Sequence, residues 1–160
     1  MPLRDYEVDT AVPFEPDERL FRRFLPSELV DGEVTPASLN SMSFDQQEPG
    51  PSVVRERFGS ACDALHPDCG GNDASGFVVF SVKVRDVPKG VQSGDGRVFD
   101  FFPRHSPTAT CGAHSVISCC LAEDALMTYT EPSKSARRNF RVKLANHFQE
   151  DACNSGGPPA

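Results

Sequence analysis

The chain contains no tryptophan and only two tyrosines, against twelve phenylalanines, so an aromatic core must come from phenyl rings that need no polar partner. No apolar run approaches the roughly 20 residues needed for a helix to span a bilayer, which excludes a helical membrane span. The N-terminus, Met-Pro-Leu-Arg-Asp, carries charge and no apolar segment, so no export signal is expected. Positive charge is in short supply: 16 Lys and Arg face 23 Asp and Glu, for a net charge of −7. That balance argues against nonspecific binding to nucleic acid or anionic membranes, but leaves room for a local basic face. Apolar residues make up 38% of the 160 residues, which suits one packed domain with uncovered ends.

The six cysteines are Cys62, Cys69, Cys111, Cys119, Cys120 and Cys153, and no Cys-x2-Cys pair occurs among them. With no export signal, the expected state is free thiols in the cytoplasm. Cys119 and Cys120 are adjacent, so on a strand they point to opposite faces.

The most strongly patterned stretch is 76–84, Gly-Phe-Val-Val-Phe-Ser-Val-Lys-Val. Its period-two alternation and the breakers around it predict a central strand, with Val78, Phe80, Val82 and Val84 on one face. Two helices are predicted to pack on the sheet. The first spans about 52–66, starting at Pro51-Ser52 and carrying an apolar stripe of Val54, Phe58, Ala61 and Leu65, which should meet the Val78 face. The second spans about 133–148 after Pro132, with Ala136, Phe140, Leu144 and Phe148 at intervals of four. Residues 19–25 read as a short strand or a helical turn, 36–44 as an edge strand, and 97–102 as a hairpin partner of the central strand. Asp31-Gly32 marks a tight turn. The expected fold is α+β, a small mixed or mainly antiparallel sheet packed by two helices. Residues 1–17 form a flexible acidic arm, 18–148 the single domain, and 149–160 a disordered tail.

Four constellations could carry chemistry. Cys62-x3-His66-x2-Cys69 and Cys111-x2-His114 offer thiolates and imidazoles for a tetrahedral zinc site, although a buried thiol on a helix also serves as a small apolar group. Cys111 or Cys69 could act as a nucleophile with His114 or His105 and Asp100. Five cations between Lys134 and Lys143 could grip phosphate, but the one aromatic among them, Phe140, falls on the apolar stripe and gives no stacking platform, so nucleic-acid binding through 134–143 is not favoured over a solvated face. Arg19, Arg22 and Arg23, followed by Ser38, Ser41, Met42 and Ser43, have the order of an arginine strand and a serine-rich strand around a nucleotide pocket. That order is similar to the opening of ADP-ribosyltransferase-like folds, which implies that Arg holds a phosphate or ribose. Such a site also needs a later acid, and Glu123 and Glu131 are the late acids before the terminal helix.

Arg-Leu-Phe-Arg-Arg-Phe-Leu-Pro at 19–26, Thr-Pro-Ala-Ser-Leu-Asn-Ser-Met-Ser-Phe-Asp at 35–45, Ala-His-Ser-Val at 113–116 and the closing basic helix resemble, in that order, a group of small bacterial proteins. Those open with an Arg-Leu-Tyr-Arg-Arg-Ile-x-Pro-like motif and continue with a Met-Ser-Val-Asp-like strand and a late His-bearing strand. The resemblance implies a domain outline and brings no activity with it. It singles out Arg22, Ser43, Asp45 and His114 as the residues to test. The functional expectation is a small cytoplasmic accessory or binding module acting with a partner protein and needing no cofactor. The alternatives are a nucleotide-handling enzyme and a zinc-stabilised domain.

Overall fold

A computed structural model describes residues 13–44, 50–70 and 76–153. In chain order these form β1 (Arg19–Phe24), β2 (Ser52–Arg55), the single turn α1 (Pro67–Gly70), β3 (Val78–Lys83), β4 (Val91–Gln92), β5 (Val98–His105), β6 (His114–Leu121), α2 (Lys134–Ala145) and β7 (Gln149–Glu150). The strands make one antiparallel sheet in the order β4-β5-β6-β2-β1-β3-β7, curled into a half-barrel. The fold is therefore mainly β, which corrects the expected α+β domain with two packing helices.

The sheet is apolar on both faces, and strand alternation sorts the side chains between them. Leu20 and Phe24 of β1, Val53 of β2 and Phe80 and Val82 of β3 enter the larger core. Phe21, Val54 and Val79 of the same strands enter a smaller one with Ala64, Cys111 and Ala113. The larger core is closed by α2, whose Ala136, Phe140 and Leu144 are fully buried on the expected stripe. Ser133 caps this helix by accepting from the Ala136 amide at 3.1 Å. The phenyl-only composition shows in the packing: Phe101 stacks on Phe140 at 4.1 Å, and Phe44 meets both edge-on.

Several sequence expectations change. Residues 52–66 are not a helix: they hold β2 and a 3-10 segment, Ala61–Leu65. The helical spacing of Val54, Ala61 and Leu65 survives only as shared membership of the smaller cluster, while Phe58 is exposed. Those residues lie on the other side of the sheet from Phe80 and Val82, so the expected contact between the two sets is not made. Residues 36–44 are not an edge strand. Pro36 opens a 3-10 helix, Pro36–Ser41, in a capping box with Thr35, whose amide donates to Ser38 Oγ at 2.9 Å. Spacing of three then brings Leu39 and Met42 together in the larger core. The 76–84 strand forms, but β3 lies next to the edge strand β7 while β2 is central. β5 pairs with β4 and β6, not with β3. The Asp31-Gly32 turn is present, with both residues at positive φ.

Residues 13–17 and 149–153 also depart from expectation. Residues 1–12 of the expected acidic arm lie outside the described residues, but within 13–17 Phe14 is buried. The expected tail begins later than 149, because Gln149 and Glu150 pair with Ser81 and Phe80, and Cys153 is bonded to Cys62. A second disulfide joins Cys69 to Cys111, leaving Cys119 and Cys120 as buried thiols. The expectation of free thiols throughout is thus corrected for four of the six cysteines.

One close approach makes a testable demand. Gly50 has φ +155°, and a Cβ there would sit 1.9 Å from the Ile117 carbonyl oxygen of β6. Backbone cannot yield as a flexible side chain can, so Gly50→Ala is expected to lower stability by about 2–3 kcal/mol, read as a shift in the urea midpoint at unchanged slope.

Candidate functional site

β1 and β2 are paired only at Leu20–Arg55 and Phe21–Val54. Beyond Phe21 the two strands part, and a cleft of about 430 Å³ opens between the end of β1 and the start of β2. Arg22 and Arg23 enter it from β1, Glu28 from the turn that follows, Ser41 and Ser43 from the end of the 3-10 helix, and Ser52 from β2. Phe21 and Phe77 supply aromatic surface.

Where the ladder stops, the Ser52 carbonyl has no β1 amide opposite it, and the Arg22 side chain takes that place: Nη1 donates to Ser52 O at 2.8 Å. Arg22 Nε is buried without a hydrogen-bond partner, and no carboxylate among the described residues forms an ion pair with this guanidinium. Burial, partly offset by Glu28, pulls its pKa down to about 10, which leaves it cationic at neutral pH. Glu28 itself accepts from the Leu25 amide at 2.8 Å. Arg23 lies over the Phe77 ring, 5.1 Å from its centroid.

His114 is the first residue of β6 and stands beside the cleft through Ser52. Its Nδ1 is 2.6 Å from the Ser106 carbonyl oxygen and its Nε2 is 3.0 Å from Ser52 Oγ. A carbonyl oxygen only accepts, so Nδ1 carries the proton in the neutral ring and Nε2 accepts from the Ser52 hydroxyl. The β2–β6 register, Val54 opposite His114 and Ser52 opposite Val116, puts these side chains on one face.

Of the residues singled out from the sequence, Arg22 and Ser43 therefore share one cleft, and His114 joins it by a single hydrogen bond to Ser52. Asp45 lies outside the described residues. Glu123 and Glu131 do not line the cleft; the acid that does, Glu28, comes from the opposite end of the chain. Ser52 was missed because Pro51-Ser52 reads equally well as the start of a helix. The signal available was the strand-like Ser-Val-Val-Arg that follows the proline.

The remaining constellations disperse. Cys62, Cys69 and Cys111 are locked in disulfides and cannot supply zinc thiolates, and no group of three or more His, Cys, Asp or Glu side chains among the described residues is placed to hold a metal. His66 instead accepts from the Asp68 amide. The same Cys69–Cys111 bond removes both candidate thiol nucleophiles. His105 stacks against Phe58, and Asp100 accepts from the Gly90 amide, 2.9 Å away. Burial pushes the Cys119 thiol pKa far up, so it is not a thiolate. The 134–143 cations lie on α2, where Arg137 and Arg141 are mutually repulsive neighbours. No helix among the described residues is long and apolar enough to cross a membrane.

No protein-family model, curated protein or solved structure matches this chain.

A second concavity holds Arg19, but there Glu56 and Asp151 already pair with the cation, at 2.8 and 2.6 Å. In the Arg22 cleft no carboxylate among the described residues is in ion-pair contact with the cation, although Glu28 lies near enough to interact with it.

Proposed function

We propose that the Arg22 cleft binds a phosphate-bearing small molecule of the nucleotide class, and that the protein is a nucleotide-handling domain. The observation that carries this reading is the half-buried Arg22 guanidinium, held at an exposed nitrogen by the Ser52 carbonyl, with its buried Nε left without a hydrogen-bond partner. A partly desolvated cation with no ion-paired carboxylate among the described residues carries a cost, and an anion supplied by a ligand offsets it. Guanidinium geometry suits phosphate oxygens, the hydroxyls of Ser41 and Ser43 suit a ribose, and Phe77, half-buried at the cleft, offers aromatic surface toward a base.

The accessory or protein-binding role has less support. The exposed large apolar side chains Leu25, Val30, Phe58, Leu126 and Val142 are scattered along the chain, whereas the cleft has convergent polar groups. Two disulfides favour an oxidising compartment over the cytoplasm expected from the sequence.

Titration calorimetry with adenosine 5′-monophosphate tests the proposal. The wild-type protein is expected to bind, and Arg22→Gln to weaken binding about 10- to 100-fold, the worth of one charge-assisted hydrogen-bonded contact. Equal affinity in the two proteins, or no binding by either, would sink it.

A further inference from the structure

The geometry points to Ser52 and His114 as the reacting pair of a phosphate-ester hydrolase, with Arg22 as the group that holds the phosphate. This rests on the reading of the cleft as a phosphate site and adds a reaction to it. Three observations meet here. Ser52 lines the cleft, and its backbone carbonyl accepts from Arg22 Nη1 at 2.8 Å, so the guanidinium and Ser52 meet at the gap where β1 and β2 part. The Ser52 hydroxyl faces the unprotonated nitrogen of His114 at 3.0 Å. The other nitrogen is fixed by the Ser106 carbonyl at 2.6 Å, which sets both the tautomer and the ring orientation. Nucleophile, base and orienting acceptor thus stand in hydrogen-bond sequence, an arrangement recognised by geometry and not by order in the chain.

The steps balance as follows. Ser52 Oγ attacks phosphorus and passes its proton to His114 Nε2. The bond from phosphorus to the leaving oxygen breaks, and that oxygen takes the proton from Nε2 as the alcohol departs. Water then gives a proton to Nε2 and attacks the phosphoserine. Ser52 Oγ leaves and recovers the proton. The net reaction is phosphate ester plus water to phosphate and alcohol, with no oxidant or further reactant. Arg22 stabilises charge on the non-bridging oxygens throughout.

The test uses the full oxidised chain with bis(p-nitrophenyl) phosphate and p-nitrophenyl phosphate, following nitrophenolate release. Turnover of at least one ester is expected, together with a phosphoryl adduct on the peptide that carries Ser52. Ser52→Ala and His114→Ala should each lower kcat/KM at least about 100-fold. Added imidazole should restore part of the His114→Ala rate, which a merely structural role for His114 would not allow. If the nucleotide binds but neither ester turns over, or if Ser52→Ala turns over normally, the reacting pair is wrong and the cleft reading stands. If the nucleotide fails to bind wild type, the cleft reading falls as well.

Discussion

Glu18→Ala is expected to lower the unfolding free energy by about 3–5 kcal/mol, because it strands a buried charge. Its partner, Arg55, is fully buried at the centre of the sheet, and Glu18 is only 7% exposed. The pair is bidentate: Arg55 Nε donates to Glu18 Oε2 and Nη2 to Oε1, both at 2.8 Å. Arg55 Nη2 also donates to the Pro13 carbonyl, the guanidinium lies 3.7 Å from the Phe14 ring centroid, and Glu18 Oε2 takes the Arg57 amide. This knot fastens residues 13–18 to β2. Removing the carboxylate leaves the cation in a site from which water is excluded, whereas removing both charges is much milder. The double variant Glu18→Gln, Arg55→Met should therefore recover most of the loss. Urea denaturation of the single and double variants checks both statements, and a Glu18→Ala loss under about 1 kcal/mol would mean that solvent reaches Arg55.

Opening the disulfides should be comparably damaging. Cys62–Cys153 closes a separation of 91 residues and Cys69–Cys111 one of 42. Constraint of the unfolded chain predicts about 4.6 and about 4 kcal/mol respectively, a large share of the roughly 5–15 kcal/mol that holds an ordinary domain together. The pairs also do different local work. Cys62–Cys153 ties down the chain just after β7, so Cys62→Ser with Cys153→Ser should expose the β3 edge and raise hydrogen exchange at Ser81. Cys69 lines the Arg22 cleft, so Cys69→Ser with Cys111→Ser should weaken nucleotide binding in addition to lowering the urea midpoint. A reductant that leaves the midpoint unchanged would show that neither bond constrains the folded chain.

The candidate site was legible in part. Arg22, Ser43 and His114 stood out as residue types in a suggestive order, and the fold brings the first two into one cleft with the third beside it. Ser52, the residue that links Arg22 to His114, was not legible. Its role depends on where β1 and β2 cease to pair, and strand register is a property of two distant stretches of chain. The cysteines were misread for a related reason. Compartment logic argued for thiols, but pairing depends on which loops the sheet brings within bonding reach.

Locally encoded features came through from the sequence alone. The α2 stripe of Ala136, Phe140 and Leu144, the strand alternation at Val78–Lys83 and the Asp31-Gly32 turn each depend on neighbours within a few residues, where periodicity and backbone preference suffice. Tertiary structure decided the rest. The stretch 52–66 carried a helical spacing, yet Val53 and Val54 are drawn to opposite cores and Arg55 to Glu18, which a strand satisfies and a helix does not. Gly59 packs so closely that a Cβ there would lie 2.9 Å from Ala113 Cβ, a contact between stretches distant in sequence. Periodicity records which residues prefer burial. The number of faces available to bury them was set only when the sheet curled with a core on each side.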